Sequence, residues 1–101
     1  MIEELRDKID RIDEELVELL NRRAETALEI GKEKRRRDRR VTDIDREEEV
    51  IDHVRRTSSG PFSEAGIERI YRALISETKE VQKEVDEDDS GNEAGSNRRT
   101  N

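Results

Sequence analysis

From Ile2 to about Arg36 the chain carries no proline and no glycine before Gly31, while Ile2, Leu5, Ile9, Ile12, Leu16 and Leu19 recur at spacings of three and four. That is the seam of one long amphipathic helix. At ~1.5 Å per residue it spans on the order of 50 Å, well past the ~30 Å breadth of a compact ~100-residue globule. A rod of this length needs a partner along its side, and the chain is expected to be all-α with a long first helix.

Composition sharpens that expectation. The 101 residues are 29% hydrophobic and 49% charged, which leaves little apolar material for a monomeric core. Only Phe62 and Tyr71 are aromatic, and with neither Trp nor Cys the core must come from Leu, Ile, Val and Ala. No thiolate site is available and His53 alone makes no zinc site, so no metal and no cofactor are expected. No apolar run approaches the roughly 20 residues of a membrane span. Met1 leads into Ile2-Glu3-Glu4 rather than a basic segment ahead of a signal core, which points to a cytosolic protein with no membrane partner. The formal net charge of −7 argues against general nucleic-acid binding. Five lysines stand against sixteen arginines, and acids outnumber bases. A carboxylate-dense surface stays hydrated in high salt, so the balance suits a halophilic origin.

Along the chain, the basic stretch Arg35 to Val41 reads as a connector, followed by Thr42 or Asp43 as a helix N-cap, with Asp45 placed to close a capping box with Thr42. The second helix places Ile44, Val50, Ile51 and Val54 on its apolar face and runs to about Arg56, where Thr57-Ser58-Ser59-Gly60-Pro61 breaks it. Ser63 caps a third helix, with Phe62 and Ile67 spaced for a hydrophobic staple. Ile67, Ile70, Tyr71, Leu74, Ile75, Val81 and Val85 continue its period. Residues 1–85 form one helical domain. The acidic tail 86–101, rich in Gly, Ser and Asn and without periodicity, is expected to be disordered.

The polar residues that interrupt the apolar stripes are the functional signal. Steps of seven from Ile2 through Ile9 and Leu16 reach Arg23 before Ile30, while Arg6 and Lys34 share the flanking row with Leu20 and Ala27. Arg23 and Lys34 are about 16 Å apart along the helix and Arg6 lies another ~25 Å away, so Arg6 can join them only from a second, antiparallel chain. On the second helix Glu47 falls between Ile44 and Ile51, with Arg46 beside it. On the third, Thr78 and Gln82 lie between Leu74 and Val85. One such residue is simplest to read as a snorkelling side chain or one satisfied by water. The whole set, with cations, an acid and neutral donors on three helices, reads as a ligand site.

These residues carry a family resemblance. Leu5-Arg6-Asp7-Lys8-Ile9-Asp10-Arg11-Ile12-Asp13, then Leu19-Leu20-Asn21-Arg22-Arg23 and Ile30-Gly31-Lys32-Glu33-Lys34, resemble the first helix of the all-helical chorismate mutases. Val41-Thr42-Asp43-Ile44-Asp45-Arg46-Glu47 resembles the start of that family's second helix, and Glu77-Thr78-Lys79-Glu80-Val81-Gln82 its third-helix motif. The likeness covers residues 1 to about 85. It implies three helices per chain, paired as an intertwined homodimer that rearranges chorismate to prephenate for phenylalanine and tyrosine biosynthesis in two sites shared between chains. A stand-alone form from a halophilic archaeon is expected, with no fused dehydratase or dehydrogenase. The resemblance assigns Arg6 of one chain, with Arg23 and Arg46 of the other, to the carboxylates of the dianionic substrate. Lys34 and Gln82 go to the ether oxygen whose bond breaks, and Glu47 with the Asp43 backbone to the ring hydroxyl. Thr78 stands where relatives often have Ser, with a carboxylate-binding role.

The implied reaction is a one-step rearrangement through a cyclic transition state, which needs neither nucleophile nor metal but does need groups that position a dianion and stabilise developing charge. Arginine forks match carboxylates bidentately. The run Lys32 to Arg40, with seven bases and two acids, has three readings: a solvated connector, a steering field for an anionic substrate, or a nucleic-acid patch. The acidic whole and the lack of stacking aromatics weigh against the last. Two functional alternatives stay open. One is an isochorismate pyruvate-lyase with a similar anion site, and the other a non-catalytic helical module for dimerisation or metabolite binding.

Overall fold

The computed structural model describes residues 1–37 and 43–90, with side chains to residue 85. Among the described residues there are three helices and no strand: α1 (Ile2–Arg36), α2 (Ile44–Thr57) and α3 (Glu64–Ser90). The 53 Å long axis of the chain matches the ~52 Å that a 35-residue helix spans.

Local chemistry sets the helix ends. Glu3 and Glu4 in the first turn of α1, and Lys34, Arg35 and Arg36 in its last, complement the helix dipole. α1 therefore takes in Arg35 and Arg36, and the connector starts later than the basic run suggests. Asp43 caps α2, its extended backbone (φ −136, ψ 97) letting the carboxylate accept from Arg46 N at 3.0 Å. Thr42, the alternative cap and half of the expected capping box, lies outside the described residues. α2 ends at Ser58, whose N–H still reaches Val54 O at 3.1 Å while its own backbone turns extended. Ser63 caps α3 through Gly66 N at 3.0 Å. A Cβ at Gly66 would come within 3.3 Å of that Oγ and 3.8 Å of Phe62 Cδ1, so glycine leaves room for the cap.

α3 runs five residues past Val85, to Ser90. The helix therefore continues into the stretch expected to be tail: Asp86-Glu87-Asp88-Asp89 lacks periodicity but also lacks a breaker, and the next glycine is Gly91. Residues 91–101 lie outside the described residues.

α3 is the central element, packed along α2 and against the C-terminal half of α1. On the outer face Arg72 bridges the helices, meeting Glu48 at 3.0 and 3.3 Å and Glu68 at 3.0 Å, while Arg55 pairs with Glu64 and Glu68. Ile51 is the one fully buried apolar side chain among the described residues. Burying it is worth only about 2 kcal/mol, far short of the entropy cost of ordering a chain this long. Residues 1–22 are all exposed, including Ile9, Ile12, Leu16 and Leu19 on the α1 seam.

Candidate active site

The C-terminal half of α1, the start of α2 and the second half of α3 enclose one cleft of about 290 Å³, at the lower end of small-molecule sites. α1 contributes Arg23, Ala27, Ile30 and Lys34; Asp43 and α2 contribute Arg46, Glu47 and Val50; α3 contributes Ile75, Thr78, Lys79 and Gln82. The apolar members form walls. The polar members include every site residue expected from the sequence except Arg6. That guanidinium is 73% exposed, near the far end of α1 beside Glu3 at 3.9 Å.

Each polar side chain already has a partner. Arg23 lies over the Tyr71 ring, 5.7 Å from its centroid, a contact that holds a planar cation without using up its donors. Lys34 Nζ is 3.8 Å from Asp43 Oδ2. Arg46 leans toward Glu49 at 3.4 Å. Glu47, 21% exposed, is held by Lys79 Nζ at 2.9 Å. Gln82 Nε2 donates to Ala27 O at 3.2 Å and ties α3 to α1, leaving its second N–H for a ligand. Thr78 is buried, and its hydroxyl donates to Leu74 O at 2.8 Å, so it meets a ligand carboxylate only after turning that hydrogen.

Four cations (Arg23, Lys34, Arg46, Lys79) face two carboxylates (Asp43, Glu47) across the cleft, an excess of two positive charges. Within the basic run, Arg36 and Arg37 fold back onto Glu33 at 2.8 and 3.3 Å, whereas Lys34 lines the cleft. Such a site fits a small dianion. Among the described residues no cluster of His, Cys, Asp or Glu is arranged to hold a metal ion.

Sequence comparison gives the family. The profile described as Chorismate mutase type II matches residues 5–83. The chain belongs to the type II chorismate mutase family. Its relatives include the bifunctional chorismate mutase/prephenate dehydratase of Aquifex aeolicus (strain VF5), 35% identical over 88 residues, 83% of this chain and 24% of that protein. The protein of the same name from Escherichia coli (strain K12) is 36% identical over 75 residues, 73% of this chain and 19% of its own length. The chain thus spans about a quarter or less of the length of these relatives. The type II fold is all-α, as found here.

Three residues at this cleft escaped the sequence reading: Lys79 and Thr26, which line it, and Tyr71, which holds Arg23; the Thr26 hydroxyl is spent on Arg22 O at 2.9 Å. Lys79 sits four positions after Ile75 and three before Gln82, so its place on the inner row was visible, but it is masked there by the adjacent Thr78. Tyr71 was counted as apolar core, and nothing in the sequence pairs it with Arg23 on another helix.

Proposed function

We propose that this protein catalyses the rearrangement of chorismate to prephenate, as a homodimer in which each cleft is completed by Arg6 of the second copy. The observation that carries the reading is the cleft's excess of two positive charges, supplied by side chains on three helices within the segment matched to the family. Arg23 and Arg46, with Arg6 from the other copy, hold the two substrate carboxylates and fold the reactive side chain over the ring. Lys34 and the second N–H of Gln82 donate to the ether oxygen. That oxygen gains negative charge as its bond to carbon lengthens, so both interactions strengthen on the way to the transition state. Glu47 and the Asp43 backbone receive the ring hydroxyl, and Thr78 lies beside a carboxylate.

Assembly into a pair is supported by the bare seam of α1. Ile2, Leu5, Ile9, Ile12, Leu16 and Leu19 are each about half exposed or more, on a helix whose residues 1–22 are all left exposed by the described residues. An antiparallel second α1 would cover that seam and carry Arg6 to the opposite cleft. The same reading has the enzyme working by itself in the cytosol of a cell with high internal salt, which its carboxylate-rich surface suits. Raised activity in molar potassium chloride is the expected sign.

The test is to follow chorismate loss with the product identified, alongside mass in solution. Prephenate from a species of twice the chain mass is expected, whereas pyruvate from isochorismate in place of prephenate, or an inert protein, would end the proposal. Cross-chain sharing has its own test. Neither Arg6→Ala nor Lys34→Ala should turn over alone, but an equal mixture allowed to exchange subunits should recover about a quarter of wild-type activity, since half the dimers are hybrids with one intact site.

A further inference from the structure

A carboxylate inside a site for a dianion is a physical problem. Glu47 lines the cleft at 21% exposure, where its charge opposes the substrate's with little solvent screening. Asp43 is less awkward, because its carboxylate is spent on capping α2 and on Lys34. Glu47 makes no such cap. It is met by Lys79, whose ammonium approaches Oε2 at 2.9 Å from α3 and leaves Oε1 as the remaining acceptor. Lys79 stands one residue beyond Thr78 and lines the same cleft.

Resting on the chorismate reading above, we infer that Lys79 is a positioning residue: it neutralises Glu47 and fixes its carboxylate, so that a hydroxyl acceptor can sit in a cleft built to attract a doubly negative ligand. Lys79 acts through Glu47 and need not touch the reacting atoms. Without it the carboxylate turns from a held acceptor into an unpaired charge facing the substrate, and the positive excess of the cleft falls from two to one.

The test measures equilibrium binding of chorismate by calorimetry on a Lys34→Ala background, where the substrate is not consumed, and kcat and KM separately with Lys34 in place, at low ionic strength where these charges are least screened. Lys79→Met keeps the stem and removes the charge. It should weaken binding and raise KM about tenfold with kcat within about threefold, the pattern of lost ground-state binding. Lys79→Arg should stay within about threefold of wild type. Adding Glu47→Gln to Lys79→Met should recover about threefold or more of the lost binding, because it removes the unpaired charge. A purely structural ion pair would lower the melting temperature without that rescue.

An unchanged KM in Lys79→Met, or a double variant that binds no better than Lys79→Met, overturns the inference while wild-type turnover leaves the chorismate reading standing. A wild type that binds chorismate without converting it removes the reaction, yet the binding series still decides the role of Lys79. A wild type that does not bind chorismate overturns both.

Discussion

The two halves of α1 are built alike and end up in different surroundings. Arg23 to Arg35 lies against α3 and closes a cleft, with Gly31 buried and Lys34 only 24% exposed. Met1 to Arg22 carries the more regular apolar seam of the two, yet every residue of it is exposed. The difference teaches that regular amphipathicity reports a surface to be covered without saying by what, whereas an interrupted stripe marks polar groups gathered at a cleft. Burial within one chain was won by the half with polar intrusions.

The largest expected effect breaks the open half. Leu16→Lys puts a charge in the middle of the bare seam, where a second copy would have to bury it, so dimer mass should be lost and activity should fall by a hundredfold or more, ~3 kcal/mol or above. Sedimentation and turnover read this directly, and a variant that stays dimeric and active would show that the seam is not the contact.

Next comes the closed half. Lys34→Ala should cost ~3 kcal/mol or more of transition-state stabilisation, at least about a hundredfold in kcat, with helicity and mass unchanged. Near-normal turnover would remove Lys34 from the mechanism. Gln82→Glu should do less and change character with pH. A carboxylate cannot donate to Ala27 O or to the ether oxygen, whereas a protonated carboxyl can, so activity should rise as pH falls. A flat profile would argue that Gln82 does not serve the ether oxygen.

The smallest effect lies on the outer face of α2 and α3. The hydrogen bond from Arg72, and then its charge, hold the Glu48 carboxyl below the ordinary glutamate value against a slight opposing effect of desolvation, while Glu48 and Glu68 raise Arg72. A depressed carboxylate stabilises the fold above its unfolded pKa, ~4.3 for glutamate, and that contribution is lost as pH falls through the folded value. Melting curves should therefore show Arg72→Ala slightly destabilised at neutral pH and the gap closing below about pH 4. A gap that persists in acid would mean packing, not charge, joins the helices there.

How much of this was legible follows from what each feature depends on. Helix identity rests on local period and on punctuation, so the extent of α1, the break at Gly60-Pro61 and the Ser63 cap could be read from neighbours in the chain. The end of α3 lies beyond Val85 because acidity and lost periodicity do not by themselves stop a helix, and the Gly, Ser and Asn residues of the tail begin only at Ser90. Of the cleft, the inward polar residues were readable because they break a pattern. Contacts between side chains on different helices were not: Lys79 with Glu47, Arg23 with Tyr71 and Gln82 with Ala27 O are products of how α3 lies across α1 and α2.

The stacking of Arg23 on Tyr71 has a practical consequence. Tyr71 is the only tyrosine and there is no tryptophan, so the intrinsic ultraviolet emission of the protein is dominated by a single phenol ring 5.7 Å from a cation lining the cleft. Its intensity becomes a built-in optical gauge of that guanidinium, readable without attaching any dye.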